Sequence, residues 1–314
     1  MKILYFLESL RNPFLDAVMS FITRFGEEYA FLCIALIVFW CVDKFEGYYM
    51  MCSGFIATVF GQFLKITCRI PRPFVKDPNF TIVESARAAA TGYSFPSGHT
   101  LNAVSTFGCA VRSKCPRFLR GVFIALMILV PFSRMYLGVH TLWDVLVGAV
   151  VSLLLVFSLY PLFERARKDR KILQRIVAFL LLFVLAVALY VSFFPFPEGT
   201  DKVLLSSAKE NVYKLLGANL GILLTVFLDR KYLNFSTKAP LLGQILKVVF
   251  GMILTVGLKS ALKPLLSVVL PWSWLCHILR YFLVVLFAGF VWPLTFRFFG
   301  KLQIKKDGKA AENE

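Results

Sequence analysis

The sequence predicts an all-α, polytopic helical membrane protein with about nine transmembrane spans, preceded by interfacial N-terminal helices. Three observations carry that reading. Hydrophobic residues make up 58% of the 314 positions and the mean hydropathy is +0.73, too apolar for an ordinary soluble domain. Long apolar runs recur along almost the whole chain. The charges between those runs are mostly positive and cluster in short connections.

Residues 1–26 read as interfacial amphipathic helices, broken near Asn12-Pro13. Glu8, Arg11 and Asp16 argue against a cleaved leader. Residues 27–163 hold five expected spans: Glu28–Val42, Gly47–Thr67, Gly98–Arg112, Leu119–Tyr136 and His140–Phe163. The first and third are short and borrow length from their flanks. Residues 164–175 form a basic linker. Residues 176–298 add four spans, Ile176–Phe196, Val212–Leu228, Leu241–Leu258 and Ile278–Phe298, and residues 299–314 are a polar tail.

Charge sets the orientation. Basic groups gather near Arg112, Lys114, Arg117 and Arg120, again from Arg165 to Arg175, and in the tail at Arg297, Lys301, Lys305, Lys306 and Lys309. With nine spans all three stretches fall on one side, which the positive-inside rule makes cytoplasmic. Linker and tail are then cytoplasmic, and the connections 65–99 and 133–140 lie opposite. The net charge of +17 therefore reflects topology and contact with anionic lipid head groups; no nucleic-acid motif accompanies it.

The seven cysteines are scattered, without metal-type spacing, and read as small buried apolar side chains. Chemistry concentrates elsewhere. Two of the three histidines sit in short polar motifs within the first half: Lys65 with Arg72-Pro73, then Pro96-Ser97-Gly98-His99, then Ser133-Arg134 with His140 and Asp144. A phosphate monoester is dianionic near neutral pH, and binding it takes several converging cationic donors. Lys65, Arg72 and Arg134 are the candidates. Ser97 and Gly98 at a helix start offer a hydroxyl and a free backbone N–H to an anion. His140 and Asp144, four residues apart, share one helix face, so the carboxylate can orient the imidazole.

Taken together and in this order, the three motifs resemble the signature of the type 2 phosphatidic acid phosphatase and vanadium haloperoxidase superfamily, matching Lys65, Arg72, Pro73, Pro96, Ser97, Gly98, His99, Ser133, Arg134, His140 and Asp144. The resemblance covers roughly residues 13–163 and implies that this part is the catalytic core. It implies His140 as nucleophile forming a phosphohistidine, Asp144 as its orienter and His99 as general acid. It assigns Lys65, Arg72, Ser97, Gly98 and Arg134 to the phosphoryl oxygens. It implies no metal ion and no cofactor. Hydropathy favours the membrane branch, so the expected partner is a lipid phosphate or diphosphate, such as the undecaprenyl carrier, met on the outer face of a bacterial plasma membrane. Phosphotransfer to another lipid, glucose-6-phosphatase-like hydrolysis and a non-catalytic lipid transporter are the other readings.

In the added module, Gly217 and Gly221 mark close helix packing, within the chain or in a homodimer. Lys259, Lys263, Trp272, Trp274 and His277 read as an interfacial aromatic belt with snorkelling lysines.

Overall fold

The computed structural model describes residues 1–113 and 115–302. Lys114 and the tail residues Lys305, Lys306 and Lys309 lie outside the described residues. The described chain is all-α. Its helices are α1 (Lys2–Ser9), α2 (Pro13–Thr23), α3 (Glu28–Ile37), α4 (Lys44–Cys68), the short α5 (Pro73–Lys76), α6 (Gly98–Arg112), α7 (Arg117–Tyr136), α8 (Leu142–Lys168), α9 (Arg170–Phe193), α10 (Lys202–Leu228), α11 (Leu241–Val269), α12 (Ser273–Leu286) and α13 (Phe296–Phe299).

Local chemistry explains the ends. Asn12 caps α2 by accepting from the Leu15 N–H, with Pro13 at the first helical position, which fixes the break expected at Asn12-Pro13. Asp43, Asp169 and Asp201 cap α4, α9 and α10 in the same way. Thr141 and Asp144 form a reciprocal capping box at the start of α8.

Among the described residues seven helices are long and apolar enough to cross a membrane, against nine expected. An eighth exists if Pro13–Gly26 and Glu28–Val42 are one span bent by 53°. The remaining difference falls on α6. At 15 residues it is short of the roughly 20 that span a bilayer core. It nonetheless runs from the motif end, at Gly98, to the opposite end, where Arg112 stacks on Tyr160 of α8, and it is the hub of the N-terminal bundle, packed against α4, α7 and α8 with most of its residues buried. His140 lies just ahead of α8, outside the span in which it was expected. The basic run 164–175 is helical on both sides of Asp169, with Arg167 bridging Asp43, Glu46 and Glu164.

In the second half α10 packs tightly on α9 and α12. A Cβ on Gly217 would stand 2.1 Å from the Ile278 carbonyl oxygen, and one on Gly221 2.9 Å from that of Phe282. The glycine pair is thus used within the chain, by α12, and leaves no free stripe for a dimer. The end of the bundle bearing Arg167 is also pinned by a buried pair, Lys44 with Asp229 at 2.8 Å. The residues of the three motifs gather at the opposite end.

Candidate active site

The ends of α4, α6, α7 and α8 and two loops build the site. The last turn of α4 presents Lys65, whose Nζ donates to the carbonyls of Tyr93 at 2.7 Å and Ser94 at 3.4 Å. This ties the loop after α5 back over α4. Arg72 is the N-cap of α5, in extended conformation ahead of Pro73. Its guanidinium donates to the carbonyls of Gly92, Thr91 and Val139 at 3.1, 2.6 and 3.0 Å. Arg72 therefore clamps both loops of the site while lying 5% exposed.

The start of α6 is pressed against α8. The Ser97 N–H donates to the Asp144 carbonyl at 3.0 Å, and the Ser97 hydroxyl oxygen accepts from the Thr100 N–H. Gly148 permits this approach, since a Cβ there would sit 3.3 Å from the Ser97 carbonyl oxygen. Gly98 is the first residue of α6, where backbone N–H groups have no intrahelical acceptor.

His140 and Asp144 are almost fully buried. Nδ1 of His140 is 3.5 Å from Oδ2 of Asp144. That carboxylate oxygen also accepts from the Thr141 N–H at 2.7 Å and the Ser94 hydroxyl at 2.6 Å. Ser94 Oγ is itself 3.4 Å from His140 Nδ1, so it bridges imidazole and carboxylate. On the other side of the ring, Arg72 Nη1 approaches Nε2 at 3.2 Å. A guanidinium can only donate, so Nε2 must be the acceptor and the proton belongs on Nδ1, facing Asp144. Burial, then the charges of Arg72, Arg134 and Lys65, hold the imidazole well below the usual histidine range, so the ring is neutral near pH 7.

A cavity of about 150 Å³ opens here, walled by Lys65, Arg72, Gly98, His99 and His140 from the core and by Ser207 and Asn211 from α10. Five of the eight expected residues thus share one wall. Asp144, Ser97 and Arg134 stand behind it. Arg134 is fully buried; its Nη1 donates to Thr23 Oγ1 at 2.8 Å, while Nε and Nη2 have no partner among the described residues. His99 Nε2 is likewise buried without a partner. A cluster of unmet donors beside a neutral imidazole is an arrangement that an oxyanion would complete.

Three contributors were not expected from the sequence. Ser94 and Thr23 carry no motif, and their contacts join residues 50 and 111 positions apart. The α10 wall had a weak signal, the polar stretch Ser206 to Asn211 opening an otherwise apolar helix.

Residues 47–168 match the family described as PAP2 superfamily, and residues 213–305 match the one described as PAP2 superfamily phosphatase, transmembrane extension. An undecaprenyl-diphosphatase of Sulfolobus acidocaldarius is 32% identical over 136 residues, which are 43% of this chain and 64% of that protein. Sphingosine-1-phosphate phosphatase 1 of Rattus norvegicus is 23% identical over 277 residues, 82% of this chain and 62% of the relative. Phosphatidylglycerophosphatase B of Bacillus subtilis is 28% identical over 175 residues, 52% of this chain and 82% of the relative. The chain spans less than two thirds of the length of the first two.

Proposed function

Because the chain belongs to the PAP2 superfamily, we propose that it is a membrane lipid phosphatase that releases phosphate from a lipid phosphate or polyprenyl diphosphate through a phosphohistidine. One observation carries the reading: the neutral His140 is held with its Nδ1 toward Asp144 and its Nε2 lone pair on Arg72 Nη1, at a cavity that Lys65 and His99 also line.

The steps follow from that geometry. A bound phosphoryl group draws Arg72 Nη1 from His140 Nε2 onto an oxygen, and the unpartnered Nε and Nη2 of Arg134, behind the wall, turn onto another. Nε2 attacks phosphorus, and the bond from phosphorus to the leaving oxygen breaks. His99, which takes up a second proton once the bound phosphoryl anion offsets the surrounding cations, gives that proton to the leaving oxygen. Asp144 stabilises the charge that grows on the imidazole. Water then attacks the phosphohistidine, His99 takes its proton, and the P–N bond breaks to return His140. Lys65, Arg72, Arg134 and the Gly98 N–H meet the transition-state charge in a water-poor site. Cationic side chains fill the neutralising role, so the reaction is proposed to be metal-independent.

The outward placement rests on charge. The basic stretch around Arg165–Arg175 lies at the end of the bundle opposite His140, and the positive-inside rule keeps that end cytoplasmic. The relatives' names point to polyprenyl diphosphates, glycerophospholipid phosphates and sphingoid phosphates as the panel to test.

The test is phosphate release by the purified full chain in detergent, with chelator present, on that panel. Release inhibited by vanadate and abolished by His140→Ala is the expected result. An unchanged rate in His140→Ala overturns the mechanism. No turnover of any lipid raises the transporter reading, and activity confined to sugar phosphates removes the lipid assignment. Sealed right-side-out vesicles turning over an impermeant short-chain phosphate check the outward face.

A further inference from the structure

The phosphate cavity does not end at the phosphate. A larger chamber of about 440 Å³ adjoins it and shares Gln62, Lys65, Gly98, His99 and Asn211 with it. That volume lies in the range of small-molecule sites, about 300–1,000 Å³. One wall is the core, from Lys65 down α4 past Phe55 to Tyr48. The other is the added module, with Leu215, Ile222 and Val285 among its apolar lining. The chamber therefore exists only because the module is docked on the core.

Its two ends differ. Toward Tyr48 it is sealed: Trp40 Nε1 donates to the Ala288 carbonyl at 2.9 Å, Lys247 Nζ to the Trp40 carbonyl at 3.1 Å, and Trp292 Nε1 to the Lys247 carbonyl at 3.2 Å. Here α11 meets the π-helical end of α3, Val38–Val42. Nearer the phosphate cavity the lining includes exposed residues of both helices, Cys33 of α3 and Val256 of α11. Lys259 of α11 reaches α3 here: its Nζ lies 3.2 Å from the Tyr29 hydroxyl and 4.4 Å from its ring centroid. The chamber is thus closed at the Tyr48 end and exposed along its α3 and α11 side, next to the Lys259–Tyr29 latch.

Its dimensions select an occupant. Tyr48 and Lys65, both lining it, are separated by about 25 Å of helix. An extended chain advances about 1.2 Å per bond, by analogy with the backbone, so the depth suits on the order of twenty carbons.

We infer that the C-terminal module forms, with the core, a tail chamber that takes a long extended hydrocarbon chain of the lipid phosphate. This rests on the phosphatase reading above. The tail lies along α4 against α10 and α12, and its head group reaches His140. Lateral access runs between α3 and α11, beside Lys259 and Tyr29.

Two measurements on the full chain in mixed micelles test this. Octadecyl phosphate carrying a diazirine at its terminal carbon is photolysed on the protein, and labelled peptides are mapped by mass spectrometry. Label on Leu215–Thr225 or Val284–Gly289, displaced by lysophosphatidic acid, is expected. Label confined to the lipid-facing side of α9, as at Phe179 or Leu182, overturns the chamber. In the second, wild-type kcat/KM is expected to be at least about tenfold higher for lysophosphatidic acid than for butyl phosphate. Met252→Trp, which fills the chamber, lowers that ratio at least about tenfold. Equal use of butyl phosphate by the wild type, or an unmoved ratio in Met252→Trp, overturns the chamber. Phosphate release from butyl phosphate reports on the phosphatase reading and label position reports on the chamber, so the two fail separately.

Discussion

Arg134→Met separates function from stability, because the two should move in opposite directions. Arg134 is fully buried, has one hydrogen bond, to Thr23, and leaves Nε and Nη2 unpartnered among the described residues. A buried unsatisfied donor costs about 1–3 kcal/mol, so two cost about 2–6 kcal/mol. Methionine fills similar length without a charge and forfeits only the Thr23 bond, about 1 kcal/mol. The phosphate-free variant is therefore expected to gain about 1–5 kcal/mol, a higher thermal midpoint in detergent. The same change removes donors aimed at transition-state charge, a loss of about 10²–10³ in kcat. The assay pairs thermal unfolding with phosphate release, and repeats the unfolding with inorganic phosphate added. Phosphate should raise the wild-type midpoint and leave the variant's unmoved, since a ligand stabilises only the state it binds. A lower midpoint with activity retained would show that Arg134 is a structural pin on Thr23, and the reasoning would be refuted.

Ser94→Ala removes a charge-assisted hydrogen bond worth about 1.5–3 kcal/mol from Asp144; kcat should fall roughly 10- to 150-fold with KM held, because Ser94 is off the cavity wall, and Ser94→Thr should recover part of it. Asp144→Asn should cost more, and the reverse order would remove Ser94 from the positioning role. His140 is held neutral by the fold, with its pKa below the unfolded value near 6.5, so its contribution to stability is present above about pH 6.5 and lost as pH falls below that. Urea unfolding at pH 7 and pH 5 should show the gap between wild type and His140→Gln narrowing at pH 5. Gly217→Ala should lower the thermal midpoint markedly, since its methyl would lie 2.1 Å from a backbone oxygen of α12; an unmoved midpoint would contradict the tight α10–α12 packing.

The helical class was legible because apolar runs of span length have few alternatives. The count was less so. α6 is shorter than the other spans, and its Ser105 and Thr106 hydroxyls donate to the Leu101 and Asn102 carbonyls within a bundle that buries most of the helix. Hydropathy cannot distinguish shielding by protein from shielding by lipid. The candidate site was legible because phosphate chemistry demands particular side chains, and those sit in motifs. What the motifs did not reveal is which residues face the cavity and which stand behind them. Ser97 reads as a phosphate donor but caps α6, and Arg134 reads as a wall residue but lies beneath it. Ser94 and Thr23 are ordinary small polar residues whose importance arises only from long-range approach.

The polar site and the added module depend on one another in a way that neither segment shows alone. Ser207 and Asn211 of α10 line the phosphate cavity with His140, while Leu215 and Ile222, about one and three turns beyond Asn211 on the same helix, line the adjoining chamber. One helix thus runs from head group to tail. A shift of α10 along its axis would move both together, so head-group position and tail depth are mechanically linked through the rigid α10–α12 contact at Gly217 and Gly221. On the proposed reading, seating of the tail and placement of phosphorus against Nε2 of His140 become one event, which is how binding energy remote from the reacting bond is put to use at it.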